Sequence, residues 1–328
     1  MDVRGNNSLK EIAKILKESN SVLLFPHLNM DGDALGSSAA LCAALRKLGK
    51  QSYILIEDEI AAFLQFLDND YCTYDANVIA EPDICLCIDC GETGRFKKRE
   101  EKFFQGKTKG CIDHHGTSTP FADFNYIDPN AAATGEIIFD LLKEIQVEID
   151  AEIGKAIFAA ITTDTGNFQY SNTTKKTHQI AAELYEIDAN YNDVSVELYQ
   201  NNRLEKLLLQ TKVLETLEVF GAGQAAICGV DFSMLEETGG KMEETEGIVE
   251  ILRNIAGVEV AIFAKELPEN RCKISMRSKK FVDVAEISKG FSGGGHIRAA
   301  GFTLECSVEE AKVKVKKAVE EYLNECNC

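Results

Sequence analysis

Apolar and polar positions form two kinds of segment in the first half of the chain. Short continuous apolar runs predict buried strands, and longer runs with apolar positions three and four residues apart predict helices. The predicted strands are residues 22–25, 53–56, 84–88 and 110–112, and the predicted helices are 35–48, 134–144, 151–163 and 175–185. This alternation is typical of the α/β class, in which helices pack against a parallel sheet.

The second half of the chain predicts a smaller α/β domain. Residues 190–219 are amphipathic, with leucines spaced for buried helix faces, so we interpret 190–223 as a helical connector. Predicted strands at 225–230, 258–264, 272–276 and 302–304, helices at 243–254, 282–288 and 308–323, and a glycine-rich loop at 290–301 follow. We therefore expect an N-terminal parallel-sheet domain (1–189) and a C-terminal α/β domain (224–328).

Composition limits where the protein acts and what it binds. The 328 residues contain no apolar run of membrane-spanning length and no leader pattern, so we expect a cytoplasmic protein that binds no membrane. The net charge of -18 argues against a long polyanion such as duplex nucleic acid. Binding of a short nucleotide in one locally positive pocket is compatible with this net charge.

Eleven cysteines are scattered through apolar segments of this long chain. That pattern predicts reduced, buried thiols rather than a disulfide framework. Cys85, Cys87 and Cys90 are interpreted in the same way, and Cys326 and Cys328 are expected to lie in a frayed tail.

Acidic and histidine residues follow three of the predicted strands. They are His27, Asp31 and Asp33 after the first strand, Asp89 after the third, and Asp113, His114 and His115 after the fourth. Because the carboxyl ends of parallel strands share one edge of a sheet, we expect these side chains to converge. Asp164, at the end of the predicted helix 151–163, is a further candidate.

The number of donors favours two metal ions over one. Two imidazoles and four carboxylates are too many for one ion with an open position, but suit two ions that share a bridging carboxylate; the candidates are His27, Asp31, Asp33, Asp89, His114 and Asp164. Two such ions lower the pKa of a bridging water and neutralise a phosphoryl group. Mixed nitrogen and oxygen ligation favours Mn²⁺, with Mg²⁺, Co²⁺ or Fe²⁺ as alternatives.

A cationic, donor-rich patch is predicted near the C-terminus. Three successive glycines allow the backbone to approach an anion closely, and basic residues stand on both sides of them. The candidate substrate-binding residues are Ser275, Arg277, Gly293, Gly294, Gly295, His296 and Arg298. Such a patch suits the phosphate or carboxylate end of a substrate.

These motifs, in this order, resemble those of the DHH phosphoesterase superfamily. The Gly293-to-His296 stretch is similar to the signature of the DHH-associated C-terminal domain. In its length and its compact pattern from Ser275 to Gly301, the chain most resembles the NrnA type, the nano-RNase and pAp phosphatase, rather than the larger RecJ exonucleases. The resemblance implies that His27 and Asp31 hold one Mn²⁺, that Asp33, His114 and Asp164 hold the other, and that Asp89 bridges them.

The resemblance also implies roles in catalysis and substrate binding. His115 would contact the scissile phosphate and assist the leaving group, and Asp113 would orient the histidines. Arg277, His296, Arg298 and the glycine loop would hold the far end of the nucleotide, with the two domains meeting over a cleft. The sequence is also compatible with a homodimer.

Three functions are compatible with this pattern. The leading hypothesis is hydrolysis of short oligoribonucleotides to mononucleotides, together with dephosphorylation of pAp. The second is hydrolysis of cyclic dinucleotides or their linear products. The third, from another class, is a nucleotide-binding sensor without turnover, although a pure binder has no need for a complete set of metal ligands.

Overall fold

The computed structural model describes residues 4–5, 7–187 and 190–326. The chain divides into two units, Met1–Asn201 and Asn202–Cys328. Over the described residues the first unit is built on a seven-stranded sheet and the second on a six-stranded sheet, each with helices packed against it. The α/β class predicted from the sequence is confirmed. Within the described residues, no helix is both long and apolar enough to cross a membrane.

The sheet of the first unit has the order β1-β7-β6-β5-β2-β3-β4. Its strands are β1 (Arg4–Gly5), β2 (Ser21–Phe25), β3 (Gln51–Leu55), β4 (Cys72–Thr73), β5 (Ile84–Ile88), β6 (Thr108–Asp113) and β7 (Phe124–Ile127). All neighbours are parallel except β1, which pairs antiparallel with β7. The strand order reverses between β2 and β5, and such a switch point leaves a crevice at the carboxyl ends of these strands.

Seven helices are described in the first unit. They are α1 (Leu9–Glu18), α2 (Gly32–Lys47), α3 (Glu100–Phe104), α4 (Thr134–Ile145), α5 (Ala151–Asp164), α6 (Lys175–Ile187) and α7 (Asn192–Tyr199). One face of the sheet packs against the apolar sides of α2 and α4, and α5 packs on these two helices. Every residue of β2 and β5 is buried, because both faces of the sheet are covered.

The other face of this sheet carries thiols and aromatic rings. Cys85, Cys87 and Cys111 pack with Phe96 and Phe103 in one buried cluster. The nine cysteines whose side chains the structure describes are all free, and eight of them are buried. They are therefore the apolar core residues that the sequence predicted; Cys328 lies outside the described residues.

Small residues bring α2 and α5 close together. A Cβ added to Gly36 would lie 2.5 Å from the carbonyl oxygen of Ala156 and 3.1 Å from the Cβ of Ala160. The approach matters for the site, because Asp33 stands in the first turn of α2 and Asp164 ends α5.

We expect the substitution Gly36→Ala to destabilise the first unit by about 2 kcal/mol, because the added methyl group meets backbone atoms that cannot move aside. Helix propensity alone predicts the opposite sign. Urea unfolding measures the change. The control is Gly94→Ala, where a Cβ meets nothing closer than 4.0 Å, and equal stability of the two variants would contradict the prediction.

The second unit has the strand order β12-β13-β11-β10-β9-β8. Its strands are β8 (Glu218–Phe220), β9 (Ala225–Val230), β10 (Val260–Leu267), β11 (Arg271–Ser278), β12 (Gly294–His296) and β13 (Ala299–Leu304). Its helices are α8 (Leu204–Leu214), α9 (Phe232–Thr238), α10 (Ile248–Arg253), α11 (Val284–Lys289) and α12 (Val308–Cys326). Residues of α8 and α10 pack in one core cluster, and residues of α11 and α12 pack in the other.

Three predicted segments differ from the observed ones. The segment 190–223 contains α7 in the first unit, and α8 and β8 in the second. The predicted helix 243–254 is interrupted at Gly247, whose φ of 89° ends the helical path. The predicted loop 290–301 contains the antiparallel pair β12 and β13, because the small residues there allow close strand pairing.

Candidate metal centre

The carboxyl ends of β2, β5 and β6 bring the predicted donors to one edge of the first sheet. His27 follows β2, Asp89 follows β5, and His114 follows β6. His27 is 3% exposed and Asp89 is 1% exposed. These side chains lie at the crevice formed where the strand order reverses, which is the position that the parallel topology predicted for a ligand site.

All six predicted metal ligands fall into two groups of neighbouring donor atoms. The first group is His27, Asp31 and Asp89; the second is Asp33, His114 and Asp164, and the atoms within each group lie within 4.8 Å of one another. Asp89 connects the groups, since its Oδ2 lies 3.6 Å from Nε2 of His27 and its Oδ1 lies 3.6 Å from Nε2 of His114. A third group joins Asp89 and His114 to His115.

Two carboxylates of the centre, Asp89 and Asp33, have raised pKa values, whereas His27 lowers the pKa of Asp31. Burial, together with the charges of Asp33, Asp31, Asp113 and Asp164, raises the pKa of Asp89 well above its usual range. Burial also raises the pKa of Asp33 to about 7, with Asp164 and Asp31 adding to the rise and His114 opposing it. Like charges held this close disfavour ionisation unless cations neutralise them.

The pKa of the His114 imidazole is raised as well. Burial lowers its pKa, but the charges of Asp164, Asp33 and Asp113 outweigh burial and raise the pKa to about 9. In the described part of the chain no lysine or arginine pairs with Asp31, Asp33 or Asp89. Buried carboxylates and imidazoles without basic partners are the donor set that fits divalent metal ions.

A layer of hydrogen bonds holds the carboxylates in place. Asp33 accepts from the backbone N–H groups of Thr134 (2.7 Å) and Gly135 (2.9 Å) in the first turn of α4, and from Oγ of Ser37 (3.0 Å). Oγ1 of Thr134 donates to Asp89 at 2.8 Å. Thr134 was not among the residues predicted from the sequence; its signal was the run of small residues 131–135 at the start of a predicted helix.

We expect Thr134→Val to weaken Mn²⁺ binding about tenfold, because valine keeps the shape of threonine but removes the donor to Asp89. Thermal unfolding over a Mn²⁺ titration measures the affinity. Thr134→Ser keeps the hydroxyl and is the matched control. Equal affinities for the valine and serine variants would contradict a role for this hydrogen bond.

Asp113 lies behind the two histidines and holds both. Its Oδ1 accepts from the backbone N–H of His114 (2.9 Å) and from Nδ1 of His115 (2.7 Å). Burial opposes ionisation, but the hydrogen bond and charge of His115 outweigh it and keep the pKa of Asp113 below its usual range. An ionised carboxylate can only accept hydrogen bonds, so Nδ1 of His115 carries the hydrogen that it donates to Asp113. Nε2 is the ring nitrogen that points away from Asp113.

Asp89 itself has a backbone conformation that is uncommon for a residue with a side chain. Its φ is 55°, in the left-handed region, where Asp and Asn are tolerated better than most residues. Its N–H donates to the carbonyl oxygen of Ile112 at 2.9 Å, which ties the end of β5 to β6. The strained turn thereby places the Asp89 carboxylate between the two donor groups.

The predicted substrate-binding residues lie in the second unit, on and around β11, β12 and β13. The register places His296, Ala299 and Arg277 in one row across β12, β13 and β11. Two residues further along the strands, Gly294, Gly301 and Ser275 form another row. Directly paired residues share a face of the sheet, so Arg277 and His296 stand on one face with small residues between them.

Arg277 and Arg298 have different surroundings. Nε of Arg277 donates to Oε1 of Glu250 on α10 at 3.1 Å, while the side chain stays partly exposed. The guanidinium of Arg298 donates to the carbonyl oxygens of Val282 (2.8 Å) and Lys280. Arg298 therefore holds the turn between β11 and α11 through hydrogen bonds to backbone carbonyl oxygens.

The glycines of the predicted loop differ in their constraints. A Cβ on Gly293 would lie 2.4 Å from the carbonyl oxygen of Gly301, and Gly295 has a φ of 143°. Gly294 is exposed, and a Cβ there would meet nothing within 4 Å. Two of the three glycines are thus required by the hairpin itself.

Comparisons with known proteins agree with this architecture. Residues 21–162 match the DHH family, N-terminal domain, and residues 224–325 match the DHHA1 domain. The chain is 31% identical over 318 residues to the bifunctional oligoribonuclease and PAP phosphatase NrnA of Thermus thermophilus, a match that covers 96% of this chain and 94% of that protein.

Solved structures share the fold. An exopolyphosphatase-related protein from Bacteroides fragilis matches with a TM-score of 0.89 and 25% identity over 96% of both chains. RecJ from Thermus thermophilus, crystallised with Mn²⁺, matches with a TM-score of 0.54 and 15% identity over 97% of this chain and 55% of RecJ. On its sequence matches, which extend over nearly its whole length, the chain belongs to the DHH family of phosphoesterases.

Proposed function

We propose that the protein hydrolyses short oligoribonucleotides to mononucleotides and removes a phosphate from pAp, using two Mn²⁺ ions. The observation that carries the proposal is the pair of donor groups connected by the buried carboxylate of Asp89. The curated relative from Thermus thermophilus, named for these two activities, supports the substrate class. The free, buried cysteines support a cytoplasmic location.

The two donor groups suit two ions. His27 and Asp31 would hold one, Asp33, His114 and Asp164 would hold the other, and Asp89 would contact both. When bound, the ions supply an activated water and positive charge opposite the phosphoryl oxygens. Imidazole and carboxylate donors without thiolates favour Mn²⁺ over Zn²⁺.

The remaining residues act on the substrate. His115 presents Nε2 to the scissile phosphate and, when protonated, passes that proton to the leaving oxygen, while Asp113 keeps its ring oriented. In the second unit, Ser275, Arg277 and His296 with Gly293, Gly294 and Gly295 would hold the far end of the nucleotide. Their shared face and the small residues between them leave room for a flat or extended ligand.

The test incubates the purified full chain and Mn²⁺ separately with the dinucleotide pApA, a longer RNA, pAp and a cyclic dinucleotide. We expect mononucleotide from pApA, phosphate from pAp, and much slower release from the longer RNA. Turnover of the cyclic dinucleotide alone would replace the proposed substrates with the second hypothesis. Binding without any product would instead favour a sensor.

A further inference from the structure

The metal centre presents negative donors to a substrate that is itself an anion. Ions neutralise the carboxylates, but a phosphoryl group that gains charge during hydrolysis is further stabilised by a cationic hydrogen-bond donor beside it. In the first unit the predicted sites assign His115 to the scissile phosphate but include no arginine or lysine. Arg95, in the turn that follows Asp89, is positioned for it.

Arg95 is held next to a metal-ligand loop. It lies in the short 3-10 segment Thr93–Arg99, six residues after Asp89. Its carbonyl oxygen accepts from the backbone N–H of Leu28 at 2.8 Å, so the two loops that follow β2 and β5 are joined at this point. The backbone of Arg95 is therefore fixed beside His27. From there an extended arginine side chain is long enough to reach the metal centre.

The guanidinium of Arg95 has no partner in the part of the chain that the structure describes, and its side chain is half-buried. Arg99, in the same segment, provides the contrast. It is 6% exposed, pairs with Glu57 at 3.2 Å and donates to the carbonyl oxygens of Leu55 and Pro26. Arg99 is thus a structural residue, whereas Arg95 keeps its donors in a chain with a net charge of -18.

The backbone contact to Leu28 sets the position of Arg95 relative to the metal centre. Leu28 directly follows His27, so Arg95 lies on the side of the centre that holds the group His27, Asp31 and Asp89.

We propose that Arg95 binds the phosphate group undergoing hydrolysis, through its guanidinium, at the His27 side of the metal centre. The assignment rests on the proposed function for its substrate class. The planar guanidinium donates two parallel hydrogen bonds to phosphate oxygens, which a lysine ammonium reproduces in charge but not in geometry. Arg95 does not hold metal; it orients the substrate and offsets charge on its phosphoryl oxygens.

The test compares Arg95→Gln and Arg95→Lys with the wild type. We expect Arg95→Gln to lower kcat/KM for pApA or pAp by about 10²-fold, and Arg95→Lys to recover part of the loss. Calorimetric titration of inorganic phosphate into the Mn²⁺-loaded protein gives a readout without turnover, and we expect about tenfold weaker binding or more. The matched control is Lys98→Gln, which removes an exposed charge from the same segment.

Each result has a distinct meaning. Unchanged kcat/KM and phosphate binding in Arg95→Gln would overturn the proposal, as would equal losses in Arg95→Gln and Lys98→Gln. Loss of the Mn²⁺-dependent rise in Tm would show that Arg95 supports the metal centre instead, which also overturns it. If the wild type hydrolyses neither substrate, the proposed function fails, but phosphate binding still tests Arg95 independently.

Discussion

Replacing Asp89 by asparagine is expected to reduce hydrolysis of pApA and pAp by more than about 10³-fold. The carboxylate connects both donor groups, and an amide neither carries the charge nor bridges two cations in the same way. Asparagine has the shape of aspartate and tolerates a φ of 55°, so the fold is retained. Initial rates at saturating Mn²⁺ measure the loss.

The same variant separates charge repulsion from metal binding. Without metal, Asp89→Asn is expected to unfold at the wild-type Tm or above it, because a carboxyl group whose ionisation is disfavoured by burial and like charges is replaced by a neutral amide. The Mn²⁺-dependent rise in Tm should be largely lost. Asp140→Asn on α4, whose side chain pairs with Lys176, is the control. Near-normal turnover in Asp89→Asn would contradict the bridging role.

Mn²⁺ affinity is expected to rise steeply with pH. In the metal-free centre the pKa of His114 is about 9, because its carboxylate neighbours outweigh burial, and burial raises the pKa of Asp33 to about 7. Both groups must lose their protons to bind an ion. Below pH 9, His114 holds a proton that Mn²⁺ must displace, so affinity should increase about tenfold per pH unit up to pH 9.

Below pH 7 a second proton adds to this dependence. A proton on Asp33 then also competes with Mn²⁺, and the Mn²⁺ affinity should change by about a hundredfold per pH unit. Calorimetric titrations with Mn²⁺ between pH 6 and 9 measure the affinity. Repeating them in two buffers of different ionisation enthalpy counts the released protons directly. A pH-independent affinity with no proton release would contradict the close packing of His114 with Asp33 and Asp164.

The centre of the first unit could be predicted because its strands are buried on both faces. Continuous apolar runs marked β2 and β5, and the parallel arrangement then required the residues after them to meet at one edge. Short, partly polar strands such as β4 and β7 gave no comparable signal. Their positions are set by pairing with the preceding strands β3 and β6 rather than by an apolar run of their own.

The supporting interactions could not be predicted in the same way. Thr134 bonds to Asp89 and, through its backbone, to Asp33, and both contacts depend on where α4 packs. Arg298 has a motif typical of an anion site, yet the turn between β11 and α11 engages its guanidinium. A motif reveals which chemical group is present; tertiary packing decides which partner it meets.

The thiol cluster beneath the first sheet gives the protein an internal reporter of opening. Cys85, Cys87 and Cys111 are 0% exposed, so a thiol-modifying reagent reaches them only when this unit transiently opens. Their modification rate therefore tracks the frequency of that opening. If ions bind at the ends of β5 and β6, which carry these cysteines, labelling will slow as Mn²⁺ is added, and the ratio of rates will measure how much the ions rigidify the unit.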